Sequence, residues 1–113
     1  MSESYNDDWA EFLVKTSNYF NVTANDEFLL FIVGIQESGQ GFGNYSKQDK
    51  TDLISLASCR VLEMNGFMKQ TGKDCEGWPV FESIKDHHQM SPVDYKSMIR
   101  QGLMDYFKRH VSL

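Results

Sequence analysis

The chain has 113 residues, 41% hydrophobic and 24% charged, which suits one soluble domain around a single core and excludes a disordered or fibrous class. Its longest apolar run, Phe28 to Ile35, is far below the roughly 20 residues of a membrane-crossing helix, so no membrane partner is expected. The net charge of −5 divides into −6 over residues 1–45 and +1 over the remainder, which disfavours the broad basic face of a nucleic-acid binder. The acidic start, Met1 to Asp8, has none of a signal peptide's lysine or arginine, so a cytoplasmic location is expected and Cys59 and Cys75 read as free thiols.

From Tyr5 to Phe20, Tyr5, Trp9, Phe12, Leu13, Thr16, Tyr19 and Phe20 fall on one helical arc, with Asp7, Asp8 and Glu11 near the positive end of the helix dipole. The next segment, residues 25–38, is apolar on every side from Phe28 to Ile35, and its β-branched Ile32, Val33 and Ile35 also admit a strand. Its punctuation favours a helix: a cap at Thr23 or Asn25, acids at Asp26 and Glu27, and a glycine stop at Gly39. This helix should be the most buried, with Gly34 as a notch for a close neighbour. Gly39 to Tyr45 reads as a loop that reverses the chain.

Ser46 with Asp49 three residues on forms a capping-box pattern and starts a third helix over 47–65, stopped by Gly66. Leu53, Ile54, Leu56, Ala57, Val61 and Met64 share its apolar arc, and Arg60 falls inside that arc. Residues 67–82 read as a short β-hairpin or extended insertion around Asp74 to Gly77, with Pro79 confining the second arm to an edge. A polar connection over 83–90, with one helical turn around Ile84, leads to Ser91-Pro92-Val93-Asp94, a helix start for 92–110. The predicted fold is mainly α, a single domain over 1–113 with four helices at about 5–20, 25–38, 47–65 and 92–110 and the hairpin between the third and fourth.

Ile32-Val33-Gly34-Ile35-Gln36-Glu37 followed by Gly39 and Gly41, then Lys47, Lys50, Leu53 to Leu62 with Cys59, and Gly72-x-Asp74-x-x-Gly77-Trp78-Pro79, resembles a family of short uncharacterised bacterial proteins. The resemblance covers about 25–82, more weakly the last helix. It implies a mostly helical domain with a shared Gln-Glu-x-Gly corner and Gly-Trp-Pro segment, and it brings no activity and no functional residues.

Gln36 and Glu37 end a buried segment at the helix terminus least favourable to an acid, so the pair needs a partner. Pairing of Glu37 with Arg60 satisfies both charges, since a buried charge must be matched and hydrogen-bonded. The rival is a polar ligand pocket, or an enzyme site, at Gln36, Glu37 and Arg60. Phe42 and Tyr45 on the glycine loop, with Trp78, offer aromatic side chains to a partner or tuck back onto the core. Gly39-x-Gly41-x-Gly43 lacks the Gly-Lys-Ser/Thr ending of a phosphate loop. Metal ligation by His87 and His88 is disfavoured, because adjacent histidines diverge in regular structure and no ligand spacing appears. No cofactor motif and no catalytic nucleophile stands out. The expected role is a non-catalytic protein-interaction or accessory module with an aromatic and acidic surface near Gly39 to Tyr45, its partner a protein or, where a helical face stays apolar, a second copy.

Overall fold

The computed structural model describes residues 2–41 and 43–111, with side chains from Asp7 onward. In chain order it comprises α1 (Ser2–Phe20), α2 (Asp26–Ser38), α3 (Lys47–Met64), β1 (Met68–Lys73), β2 (Pro79–Ser83) and α4 (Pro92–His110). This is the predicted mainly α arrangement, four helices with a two-stranded antiparallel hairpin between the third and fourth. Among the described residues no helix is long and apolar enough to cross a membrane.

The ambiguous segment is helix α2. The Asn25 side chain accepts the Phe28 N–H at 2.8 Å, Asp26 and Glu27 occupy the first turn, and Gly39 closes the helix in the left-handed region at φ +75°. Four successive residues, Ile32 to Ile35, are buried, while Phe28, Leu30 and Phe31 are only half-buried. The all-round apolar pattern thus serves a buried seam and a partly covered outer face.

Both glycines inside helices are close-approach sites. A Cβ on Gly34 would stand 2.6 Å from the Leu53 carbonyl carbon and 2.9 Å from its Cβ. A Cβ on Gly102 would overlap Val61 Cγ1. Helices α2 and α4 therefore close tightly on α3, whose Leu53, Leu56, Ala57, Val61 and Leu62 are buried. Helix α1 completes the core through Trp9 and Phe12, the latter edge-on to Phe107 with ring centroids 5.4 Å apart. Thr16 is buried without loss because its hydroxyl donates to the Phe12 carbonyl at 2.9 Å.

The caps follow the sequence. Ser46 Oγ accepts the Asp49 N–H at 3.0 Å and Asp49 Oδ2 accepts the Ser46 N–H at 3.3 Å. Ser91 Oγ accepts the Asp94 N–H at 3.1 Å, with Pro92 in the first turn. Replacing Ser91 with Ala should cost about 1 kcal/mol, and Asp in its place should restore most of it. Thermal melts followed by circular dichroism check this, and an unchanged midpoint for Ser91→Ala would remove the cap from the account.

The hairpin pairs Met68 with Ser83, Gln70 with Phe81 and Lys73 with Pro79, with an irregularity between Gln70 and Gly72. Its turn is held by Asp74 Oδ1, which accepts the N–H groups of Glu76 at 2.9 Å and Trp78 at 3.0 Å, while Gly77 sits at φ +87°.

Two expectations are corrected. The 84–90 connection is irregular rather than helical at Ile84: the Ile84 and Lys85 N–H groups both donate to the Phe67 carbonyl, and Ile84 is exposed. His87 and His88 do not diverge; their rings stack at 4.3 Å, since an irregular segment escapes the periodicity that would separate them. His110 lies exposed at the end of α4 with its ring 4.3 Å from that of Tyr106.

Candidate functional site

Two polar constellations are built on this frame. The first explains why Arg60 lies on the apolar arc of α3. Its Nε donates to Glu37 Oε1 at 2.7 Å, joining α3 to the end of α2. Its Nη1 donates to Glu63 Oε1, and its Nη2 donates to Gln70 Oε1 at 2.7 Å. Glu63 Oε2 accepts the Gln70 N–H at 2.7 Å, and Tyr106 of α4 donates its hydroxyl to Glu37 Oε2 at 2.7 Å. The Phe81 ring lies beneath the guanidinium, its centroid 4.9 Å from Cζ. The Arg60 and Glu37 side chains are only 19% and 13% exposed, so these bonds act with limited solvent screening.

The protonation states follow from those partners. Burial alone would lower the Arg60 pKa, but its hydrogen bond to Glu37 and the charges of Glu37 and Glu63 outweigh this and hold it above its ordinary value. Burial, and then the bond to Glu37, raise the Tyr106 pKa, which keeps its hydroxyl a donor. Each nitrogen of the guanidinium and both oxygens of Glu37 are engaged within the chain. Gln36, one residue earlier on α2, is exposed. The structure therefore brings Glu37 and Arg60 together and leaves Gln36 outside their network. Glu63, three positions on in α3, has the spacing of a helical ion pair with Arg60, whereas nothing in the spacing marks Tyr106 or Gln70 as partners.

A comparable tie passes unnoticed in the sequence. Arg100 of α4 donates from Nε to Asp26 Oδ2 at 2.8 Å and from Nη2 to Oδ1 at 3.2 Å, with its Cζ 4.8 Å above the Trp9 ring. Asp26 reads in sequence only as a dipole partner of α2, because a contact across 74 positions leaves no local pattern.

The second constellation is a cleft of about 410 Å³ where the start of α3 faces the hairpin turn. Tyr45 and Trp78 line it with Asp49, Asp52, Asp74 and Glu76, and among the described residues no lysine or arginine does. The Ser46 cap starts α3 so that Asp49 and Asp52, three positions apart, share a flank. The Asp74 turn brings Glu76 and Trp78 to the opposite wall. Tyr45 is half-buried, edge-on to Phe31 with centroids 5.6 Å apart, and donates its hydroxyl to the Gly41 carbonyl. Trp78 is half-buried as well. Phe42 lies outside the described residues.

No protein-family model, curated protein or solved structure matches the chain.

Among the described residues no three His, Cys, Asp or Glu side chains stand together closely enough to hold a metal ion. The four carboxylates thus spread their charge along the cleft instead of converging on a point. Both cysteines are free: Cys59 is half-buried, with burial raising its thiol pKa, and Cys75 is exposed in the hairpin turn. A raised thiol pKa lowers the thiolate fraction at neutral pH, which counts against Cys59 as a nucleophile.

Proposed function

We propose that the protein is a non-catalytic interaction module whose cleft between α3 and the hairpin turn takes a lysine- or arginine-rich segment of a partner protein. The observation that carries this reading is the union of two aromatic rings and four carboxylates in one concavity, with no cationic side chain among the described lining residues. Carboxylates distributed along a groove match a row of ammonium or guanidinium groups, and aromatic faces add attraction for cations. The engagement of Arg60 and Glu37 with their own neighbours supports this reading over a ligand pocket at Gln36, Glu37 and Arg60.

The test is titration of a labelled tetralysine peptide into the full chain, monitored by fluorescence anisotropy at low and moderate salt. Binding should weaken as salt rises, because exposed charges are screened over about 10 Å at 0.1 M. The Asp52→Asn, Glu76→Gln double variant should bind roughly threefold to tenfold more weakly, since each exposed pair is worth about 0.2–1 kcal/mol. These positions spare the acids that cap α3 and hold the turn. Equal affinity of the two proteins would overturn the assignment of the cleft.

A further inference from the structure

On the far flank of α3 from Asp52, a second groove of about 380 Å³ opens between α2 and α3. Phe28, Phe31 and Ile54, all half-buried, make its apolar floor, and Glu27 and Lys50 stand at its edge. An apolar floor with a polar rim is the anatomy of a peptide-docking surface. The two concavities meet at one aromatic pair: Tyr45 lines the acidic cleft, Phe31 lines the apolar groove, and their rings are in edge-to-face contact. Helical spacing explains the division, because Asp49 and Asp52 lie on one side of the buried Leu53 seam while Lys50 and Ile54 lie on the other. The four carboxylates of the cleft thereby stay out of the second groove, where Glu27 and Lys50 offset each other at the rim and the floor is apolar.

Resting on the proposed function, we infer that the partner segment carries a bulky apolar side chain close to its basic cluster, with the cations in the acidic cleft and the apolar side chain in the groove floored by Phe28, Phe31 and Ile54. The spacing is set by the tip of α3 and Tyr45, which the segment must cross. A helix with its side chains is about 10–12 Å across, and extended chain advances about 3.3 Å per residue, so a separation of about three residues fits. A spacing of zero leaves the side chain on Tyr45, short of the groove.

The experiment compares tetralysine with tetralysine extended by three glycines and a phenylalanine, in both chain directions, and with the same peptides ending in alanine. One of the two phenylalanine peptides should bind the wild-type chain about tenfold more tightly than its alanine control, as expected for partial burial of an aromatic ring. Ile54→Gln should abolish that gain and leave tetralysine binding unchanged. Replacing the phenylalanine with a photoreactive benzoylphenylalanine provides a readout on the unaltered protein, and crosslinks should fall on the segments holding Phe28, Phe31 and Ile54. Equal binding of the phenylalanine and alanine peptides, or crosslinks elsewhere, overturns the inference while tetralysine binding leaves the cleft assignment standing. Failure of tetralysine itself to bind overturns both. Concentration-dependent dimerisation that Ile54→Gln removes, seen by sedimentation without peptide, would assign the groove to a second copy and overturn the inference as stated.

Discussion

Gly34→Ala should destabilise the protein by about 2–3 kcal/mol, although the same change in an exposed helix would stabilise it by about 1 kcal/mol. The sign is decided by the neighbour. An added Cβ would meet the backbone of Leu53, its carbonyl carbon at 2.6 Å, and a main-chain group inside α3 cannot swing aside as a side-chain tip can. Relief requires α2 and α3 to separate along the seam where Ile32, Val33, Leu53 and Ala57 are buried, which forfeits dispersion contacts along the whole interface. The thermal midpoint should fall by about 8–15 °C, given that about 1 kcal/mol moves a domain of this size by several degrees. Gly41→Ala is the control, because nothing lies within 4 Å of a Cβ there, and it should stay within about 0.5 kcal/mol of wild type. Urea and thermal unfolding measure both. A Gly34→Ala protein as stable as the original would mean that the helices are not in contact at this glycine.

Local rules carried the fold far. Ser46 with Asp49, Ser91 with Pro92, and Gly39 signal helix ends through bonds between residues at most four apart, and those bonds form as the patterns require. The 84–90 connection lacks such a rule. Its shape is imposed by the Phe67 carbonyl collecting two N–H groups from the far side of the hairpin, a contact with no local signature. Tyr19 shows the converse limit. It falls on the apolar arc of α1 yet is 56% exposed, because a helical wheel identifies a face without its width.

The site divides in the same way. Arg60 on an apolar arc is an anomaly visible from periodicity alone, and a buried cation demands an acid, which makes Glu37 at the end of a buried segment a candidate partner beside the rival reading of a ligand pocket. Tyr106 cannot follow, since a tyrosine on the apolar arc of α4 already has a sufficient reason to be there. Charge accounting by segment pointed to residues 1–45 as the acidic region. The acidic cleft instead draws Asp49, Asp52, Asp74 and Glu76 from the near-neutral remainder, where nearby lysines cancel them in the sum but not in space. Lys50 illustrates the point. It is adjacent to Asp49 in sequence and lines the other groove.

Arg60→Met should cost about 2–4 kcal/mol, toward the lower part of the range for removing one partner of a buried pair, because 19% of the arginine and 13% of Glu37 remain in water. Methionine preserves the aliphatic stem against Phe81, so the loss reports the guanidinium and not the volume. Without it, Glu37 retains the Tyr106 hydroxyl and Glu63 retains the Gln70 N–H, and two carboxylates lose their shared cation. Glu37→Gln should therefore be much less costly in the Arg60→Met background than in wild type, with a coupling of about 1–3 kcal/mol across the cycle. Chemical denaturation of the four proteins measures it. A network that serves stability and orientation should also leave tetralysine affinity unchanged in Arg60→Met below its melting point, since neither Arg60 nor Glu37 lines the acidic cleft. A single substitution that left stability within about 0.5 kcal/mol of wild type but altered ligand binding would reverse the assignment, freeing Arg60 and Glu37 to be the binding site and making the cleft incidental.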